Sequence, residues 1–247
     1  MAMPRSASAT LPLKRTAKKS GKIARTAPVA NGSSAKSAPA PATPATSPTK
    51  LRLLHTAIDL IWEHNYSSVS VDDICRRAGI LKGSFYHFFP SKADLAVAAL
   101  EERWVRMVHP RLEEIFSPAY SPYGRLSRYY DMVYDNQKIQ KQRVGRICGC
   151  AFASIGSEQS NEDEKIRAKS QEVFKRYVHY IAGALRDAVA ERTVDIPPGE
   201  ATNRAHELYT FILGVLVQAR VENDLQLVKH FKSSFLRISG VRETLVA

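Results

Sequence analysis

Large apolar residues recur at spacings of three and four from Pro48 onward, and this periodicity restricts the fold more than any other feature of the sequence. Leu54, Ile58 and Ile61 begin the pattern. Such spacing places side chains on one face of an α-helix, whereas a half-buried strand alternates every two residues. No window of the chain alternates in that way. The sequence therefore predicts an all-α fold.

Local signals divide the first part of this helical region into short elements. Ser70 and Asp73 have the spacing of a capping box, and Gly79 is a typical residue just beyond a helix end, so a short second helix is predicted between them. The same Ser-x-x-Asp spacing at Ser91 opens a longer helix. The segment between them has room for a third short helix, over about 82–88.

Two short helices joined by a tight turn with glycine are typical of a helix-turn-helix, whose second helix enters the major groove of DNA. The N-terminus of the third helix carries residues that are neither bulky nor acidic, which suits close approach to phosphates and base edges. Phe85 and Phe88 are predicted to anchor this helix in the core, because it is too short to be stable alone. The predicted DNA contacts are Lys82, Gly83, Ser84, Tyr86 and His87.

Residues 51–105 resemble the DNA-binding domain of the TetR family of bacterial transcription regulators. The resemblance is carried, in order, by the segments VSVDDI at 69–74, AGI at 78–80, KGSFYHFF at 82–89 and SK at 91–92. It departs at Leu81, where the family usually has a serine that caps the recognition helix. The resemblance implies the same groove and backbone contacts in the third helix. It also implies that Ser70 and Lys92 hold flanking phosphates.

The first fifth of the chain differs from the rest in composition. Residues 1–50 contain nine Lys or Arg and no Asp or Glu, and so supply three quarters of the net charge of +12. We predict that residues 1–47 are a disordered basic tail, since they have few large apolar side chains. Such a tail attracts polyanions without sequence preference; a solvated extension and a transit peptide are alternatives. Residues 48–108 would form the helix-turn-helix domain and residues 109–247 a helical regulatory and dimerisation domain.

The second domain resembles the family more weakly. By analogy, the last two predicted helices, about 200–223 and 224–239, would pack against their copies in a homodimer as a four-helix bundle, with intramolecular packing as the alternative. A dimer would read a palindromic operator in double-stranded DNA. The resemblance also implies an unknown small-molecule effector. Candidates for its pocket are aromatic residues with a polar tip or a large ring, most of which are better explained as core: Tyr123, Tyr130, Tyr134, Phe152, Tyr177 and Tyr180.

Three cysteines are too few for a disulfide scaffold and fit a reducing cytoplasm, where we expect the protein to lie. Cys148 and Cys150, followed by Glu158, resemble a branch of the family that includes regulators responsive to electrophiles. On a helix the two thiols would point about 200° apart, which suits neither a shared metal nor a disulfide. Nearby Arg143 and Arg146 would lower a thiol pKa. A thiol sensor and a small residue in a tight helix contact are the two interpretations.

Taken together, these features predict a ligand-responsive transcription regulator that acts as a repressor. A general DNA-compacting protein led by the basic tail is the alternative, and deletion of residues 1–47 would separate the two. Paired carboxylates, a nucleophile–base set and metal-ligand spacing are not evident in the sequence, so neither an enzyme nor a cofactor or metal is predicted. A membrane partner is not predicted either, since no apolar run approaches the roughly 18 residues of a spanning helix.

Overall fold

A computed structural model describes residues 47–242, so the tail predicted for residues 1–47 lies outside the described residues, apart from Ser47. The described part of the chain is helical and contains no strand, which confirms the all-α prediction. The N-terminal helices are α1 (Pro48–His64), α2 (Val71–Ala78), α3 (Lys82–Phe88) and α4 (Lys92–Arg103). A π-helical turn at Trp104–Val108 joins α4 to α5 (His109–Ile115). The domain boundary predicted at residue 108 stays a prediction, and it falls inside this continuous helical run.

Up to residue 242, the larger C-terminal part contains six further helices. They are α6 (Pro122–Val144), α7 (Ala151–Glu158), α8 (Glu164–Ala190), α9 (Ala201–Glu222), α10 (Leu225–His230) and α11 (Lys232–Ser239), with a 3-10 turn at Pro198–Glu200 before α9. Within residues 47–242, no helix is both long enough and apolar enough to span a lipid bilayer.

The capping signals in the N-terminal part form as the sequence predicts. The Ser70 hydroxyl accepts a hydrogen bond from the Asp73 backbone N–H at 3.1 Å, while the Ser70 N–H donates to the Asp73 carboxylate at 3.0 Å. Gly79 ends α2 with φ of 64°, a left-handed conformation that favours glycine. Ser91 caps α4 by accepting from the Asp94 N–H at 3.1 Å. These signals fix where α2 and α4 begin, and therefore where α3 lies between them.

One core runs through both parts of the protein. In the N-terminal part, α1 and α4 pack together and enclose fully buried side chains such as Ile74, Phe85 and Leu95. In the C-terminal part, α8 packs along α9, and aromatic rings fill the space beneath them. Tyr129 and Phe152 are among the largest fully buried side chains.

The prediction of a single helix over 224–239 is wrong, because the chain turns at Phe231 and forms two short helices, α10 and α11. Phe231 in the turn and Phe235 in α11 pack in different places. Phe231 lies against Phe211 of α9, with ring centroids 5.9 Å apart, whereas Phe235 is fully buried against Tyr130 of α6 at 5.2 Å. The last pair of long neighbouring helices is therefore α8 and α9.

Candidate functional site

The inner face of α3 is held by one phenylalanine and its outer face is open to solvent. Phe85 has 0% exposure and contacts Phe89 with ring centroids 6.1 Å apart. Tyr86, the next residue, is 53% exposed, and His87 is also exposed. Lys82 and Gly83 are exposed at the N-terminal end of the helix, and Ser84 is half-buried. The structure thus brings five predicted DNA contacts together on what we call the α3 surface: Lys82, Gly83, Ser84, Tyr86 and His87.

Lys82 has a protein partner that sequence reasoning did not identify. Its ammonium lies 2.9 Å from a carboxylate oxygen of Asp72 on α2. The hydrogen bond to Asp72 raises the pKa of Lys82. A phosphate at this position would therefore meet a lysine that is charged and already oriented on the surface, but it would have to compete with Asp72.

Gly83 is not required by packing or by backbone strain within the described chain. A Cβ added to Gly83 would meet no atom within 4 Å, and its φ does not lie in the left-handed region. The preceding residue, Leu81, is the N-cap of α3 and makes no side-chain capping bond, which matches the departure noted in the sequence. The first backbone N–H groups of α3 are thus approachable from outside.

Ser70 and Lys92, predicted to hold flanking phosphates, are both engaged within the domain. The Ser70 hydroxyl caps α2. The Lys92 ammonium donates to the backbone oxygens of Tyr66 and Val69, both at 3.0 Å, and lies 4.0 Å from the centroid of the Tyr66 ring. Burial lowers the pKa of Lys92, while the charge of Glu158 opposes that shift. Their phosphate contacts stay predictions, and the observed role of Lys92 is to fix the connection between α1 and α2.

The same connection is held from the other side by α7. The Glu158 carboxylate accepts hydrogen bonds from the backbone N–H groups of Tyr66 and Ser67, each at 2.8 Å. Burial alone would raise the pKa of Glu158, but the bonds from Ser67 and Tyr66 and the charge of Lys92 hold it below its usual value. We call this arrangement the Glu158 clamp. It joins the C-terminal part directly to the helix-turn-helix.

A cavity of about 60 Å³ lies in the C-terminal part, next to α1. Two of the six predicted pocket residues, Phe152 and Tyr177, line it, with ring centroids 6.2 Å apart. The remaining lining residues were not predicted; they include Trp62, Arg103, Tyr129, Gln137, Gly149, Cys150 and Tyr209. They come from several helices and one loop that are far apart in the chain, so no local pattern marks them.

The other four predicted pocket residues lie elsewhere. Tyr180 lines a separate cleft of about 760 Å³ between α5 and α8, whose lining combines charged and aromatic residues, and its hydroxyl contacts Glu113 there. Tyr123 lies beside α11. Tyr130 is buried against Phe235, and Tyr134 is half-buried outside the cavity. All four therefore stay untested as effector contacts, and none of them lines the 60 Å³ cavity.

Cys148 and Cys150 do not lie on a helix, contrary to the expectation that set their side chains about 200° apart. They lie in a loop that precedes α7, and Gly149 between them has φ of 71°. Gln137 fixes this glycine, donating to its carbonyl at 3.1 Å and accepting from its N–H at 3.0 Å. The Trp62 indole N–H also donates to the carbonyls of Cys148 and Gly149, at 3.1 and 3.2 Å. The loop is thus bound to the end of α1.

The surroundings of the two thiols differ from those expected. Burial raises the pKa of both Cys148 and Cys150. The charges of Arg146 and Arg143 do act to lower the pKa of Cys148, as expected, but burial outweighs them. Arg143 also forms ion pairs with Asp59 and Glu63. Burial thus disfavours the thiolate form of both cysteines. The sensor hypothesis stays a prediction for Cys148 and Cys150, of which only Cys150 borders the cavity.

Comparisons with known proteins agree with this geometry. The family model described as "Bacterial regulatory proteins, tetR family" matches residues 53–99, and "Transcriptional regulator LmrA/YxaF-like, C-terminal domain" matches residues 131–233. The transcriptional repressor NemR of Escherichia coli is 27% identical over 179 residues, which cover 72% of this chain and 87% of that protein. AcuR of Cereibacter sphaeroides is 28% identical over 138 residues, covering 56% of this chain and 61% of that regulator.

Solved structures show the same architecture. A regulatory protein TetR from Rhodobacter sphaeroides superposes with a TM-score of 0.68 at 26% identity, over 78% of this chain and 99% of that one. The reduced form of E. coli NemR gives a TM-score of 0.66 at 22% identity, over 79% of this chain and 100% of that one, and so supports the fold alone. The chain belongs to the TetR family of bacterial transcription regulators. It is a DNA-binding regulator with an N-terminal helix-turn-helix.

Proposed function

We propose that this protein is a ligand-responsive repressor that binds a palindromic operator as a homodimer and is released by a small-molecule inducer. The observation that carries the proposal is the α3 surface: an exposed flank of Lys82, Gly83, Tyr86 and His87 on a helix that the buried Phe85 fixes in place. A rigid helix with a small, basic N-terminus is what insertion into a major groove requires.

Each residue of the α3 surface suits a different contact. Lys82 can exchange Asp72 for a phosphate, and the open backbone at Gly83 permits close approach to the sugar-phosphate chain. Ser84 can donate or accept at a base edge. Tyr86 and His87 can reach a phosphate or a thymine methyl group. Ser70 and Lys92 support this surface by fixing α2 and its connection to α1.

The homodimer is best supported by the exposed face of α8 and α9. Val217 and Val221 on α9 are 62% and 81% exposed, although both are large apolar residues one helical turn apart. They border a groove of about 800 Å³ that Phe174 of α8 and Leu213 of α9 also line. Two copies that paired these faces would form a four-helix bundle and cover the groove.

Release of DNA would begin in the 60 Å³ cavity. Its wall includes Gly149 and Cys150, and the carbonyls of this loop are hydrogen-bonded to Trp62 of α1. A ligand that binds one position of the loop more tightly than another would shift α1 and, through the Glu158 clamp, the connection to α2. Such a difference in affinity is the condition for coupling between the two sites.

Selection of bound fragments from random double-stranded DNA tests the proposal. We expect enrichment of a palindrome whose half-sites are about one helical turn or more apart. A chain lacking residues 1–47 should enrich the same palindrome with a weaker dependence on salt, because the tail adds only non-specific attraction. Recovery of fragments without any common sequence, together with loss of binding in the shortened chain, would instead favour the DNA-compacting alternative.

A further inference from the structure

Arg103 is the one residue with a full charge at neutral pH among the described residues that line the 60 Å³ cavity. Its guanidinium lies over the Trp62 ring, 4.3 Å from the centroid, and makes a weak contact with the Met107 sulfur at 3.8 Å. Within residues 47–242, it forms no ion pair with a carboxylate. Asp59 acts on it only through space and is itself paired with Arg143. A partly buried arginine without an acid partner is costly to desolvate.

Tyr209 supplies a second polar group, and its protein partner is a weak one. The side chain is only 5% exposed and lines the same cavity, and within the described residues its hydroxyl makes no hydrogen bond to oxygen or nitrogen; the polar group that acts on it is the thiol of Cys150, a weak acceptor. Buried hydroxyls are normally hydrogen-bonded, and an exception calls for an absent acceptor or donor. Tyr209 belongs to α9, whereas Arg103 belongs to α4, so two separate elements place donors that have only weak partners at one small space.

The rest of the wall restricts what can occupy this space. Apart from Arg103, the described lining is apolar, aromatic or neutral, and includes Phe152, Tyr177 and Leu216. No Asp or Glu among these lining residues could hold a cation. A volume of about 60 Å³ accommodates roughly four to six water-sized groups, since about 10–15 Å³ is needed for each. The occupant should therefore be an anion with about four to six non-hydrogen atoms.

We propose that the cavity binds a short-chain monocarboxylate, with the carboxylate on the Arg103 guanidinium and the Tyr209 hydroxyl and the hydrocarbon part against the aromatic wall. Arginine presents paired N–H groups that match a carboxylate. Engagement of a carboxylate would also change the contact between Arg103 and Trp62, and Trp62 holds the loop at Cys148 and Gly149. That this binding releases DNA rests on the proposed function, whereas the binding itself does not.

The binding is tested with the full-length protein in the absence of DNA. The chain has two tryptophans, Trp62 in the cavity wall and Trp104, whose ring lies 5.2 Å from that of Tyr177. Titration with propionate should therefore give a saturable change in tryptophan fluorescence. Propionamide, which has the same shape but no charge, should bind at least about tenfold more weakly, because a charged hydrogen bond is lost. Hexanoate should also bind more weakly because it exceeds the cavity.

Variants assign the binding to Arg103. Arg103→Met should weaken propionate binding at least about tenfold, whereas Arg106→Met, which removes a charge at an exposed position one turn on, should leave it within about twofold. Tyr209→Phe deletes one hydroxyl and should weaken binding several-fold, which provides a second test if Arg103→Met lowers the melting temperature. Absence of a propionate response in the wild type, an equal response to propionamide, or unchanged affinity in both cavity variants would overturn the proposal.

The regulatory step is then measured separately on the selected operator. Propionate should displace the wild-type protein from DNA and should fail to displace Arg103→Met. If propionate binds through Arg103 but leaves DNA affinity unchanged, the cavity site stands and the inducer role in the proposed function fails. If neither propionate nor hexanoate binds, the carboxylate site fails while operator recognition by α3 is unaffected.

Discussion

Replacing Phe85 with alanine should lower the free energy of unfolding by about 3–5 kcal/mol, because the ring is fully buried and its removal leaves a cavity beneath α3. Seven residues are too few for a helix to be stable without tertiary packing, so α3 should lose its fixed position as well. Chemical denaturation of the full chain measures the change. It should be accompanied by loss of operator binding even at temperatures where the rest of the protein remains folded.

Tyr86 provides the matched control for this experiment. It is the neighbouring aromatic residue on the same helix, but its side chain is 53% exposed. Tyr86→Ala should change the free energy of unfolding by less than about 1 kcal/mol. If the two variants were equally stable, Phe85 would not anchor α3, and the division of this helix into a core face and a DNA face would be wrong.

Replacing Glu158 with glutamine should release the connection between α1 and α2 from α7. The two carboxylate oxygens each accept from one backbone N–H at 2.8 Å, and glutamine would replace one of these oxygens with an NH₂ group that cannot accept. A hydrogen bond to a charged group contributes about 1.5–3 kcal/mol. Exchange of the Tyr66 and Ser67 amide hydrogens should therefore accelerate about tenfold or more, as measured by NMR or mass spectrometry.

The exchange of the Tyr66 and Ser67 amide hydrogens should also depend on pH, and the direction of that dependence follows from the pKa of Glu158. The pKa of Glu158 is lowered in the folded protein, so the clamp should be fully present above the ordinary carboxylate pKa of about 4.3 and be lost as the pH falls through the lowered value. Glu162→Gln, at an exposed position beyond the end of α7, serves as the control and should leave both exchange rates unchanged. Equal protection of Tyr66 and Ser67 in wild type and Glu158→Gln would show that the clamp does not hold this connection.

The helix-turn-helix could be predicted from sequence because its signals are local. The capping box at Ser70, the left-handed Gly79 and the serine cap at Ser91 lie within about twenty residues, and each fixes one helix end through its own neighbours. The alternation of buried and exposed aromatic residues in α3 follows from helix geometry alone. The position of the five α3 residues on one surface is thus encoded close to those residues.

The cavity could not be predicted in the same way. Trp62, Arg103 and Tyr209 lie on three helices that are distant in sequence, and each of them fits the periodic pattern of its own helix. Arg103 in particular is typical of a solvent-facing residue in the last turn of α4. The tyrosine stripe of α6 was equally misleading, since Tyr130 packs on Phe235 and not in the cavity. Tertiary packing alone decides which of these residues meet.

The sequence did not predict the break at Phe231 or the loop at Cys148 and Cys150, for a related reason. The apolar spacing of 224–239 is continuous through Phe231, and the rings that Phe231 and Phe235 contact, Phe211 and Tyr130, lie in distant parts of the chain. The loop before α7 is stabilised by Gln137 and Trp62, which are distant in sequence from the helix start at Ala151. Neither partner could be identified from the segment itself.

The central claim is that the exposed flank of α3 enters the DNA groove, and the affinity of a Lys82→Ala, Tyr86→Ala double variant for the selected operator tests it most directly. The variant should be as stably folded as the wild type, because both side chains are exposed. Its affinity for the operator should fall by about 100-fold or more, since a phosphate contact and a groove contact are both lost. Lys138→Ala, an equal loss of charge on the exposed side of α6, should bind normally. Undiminished preference of the double variant for the operator would contradict the account.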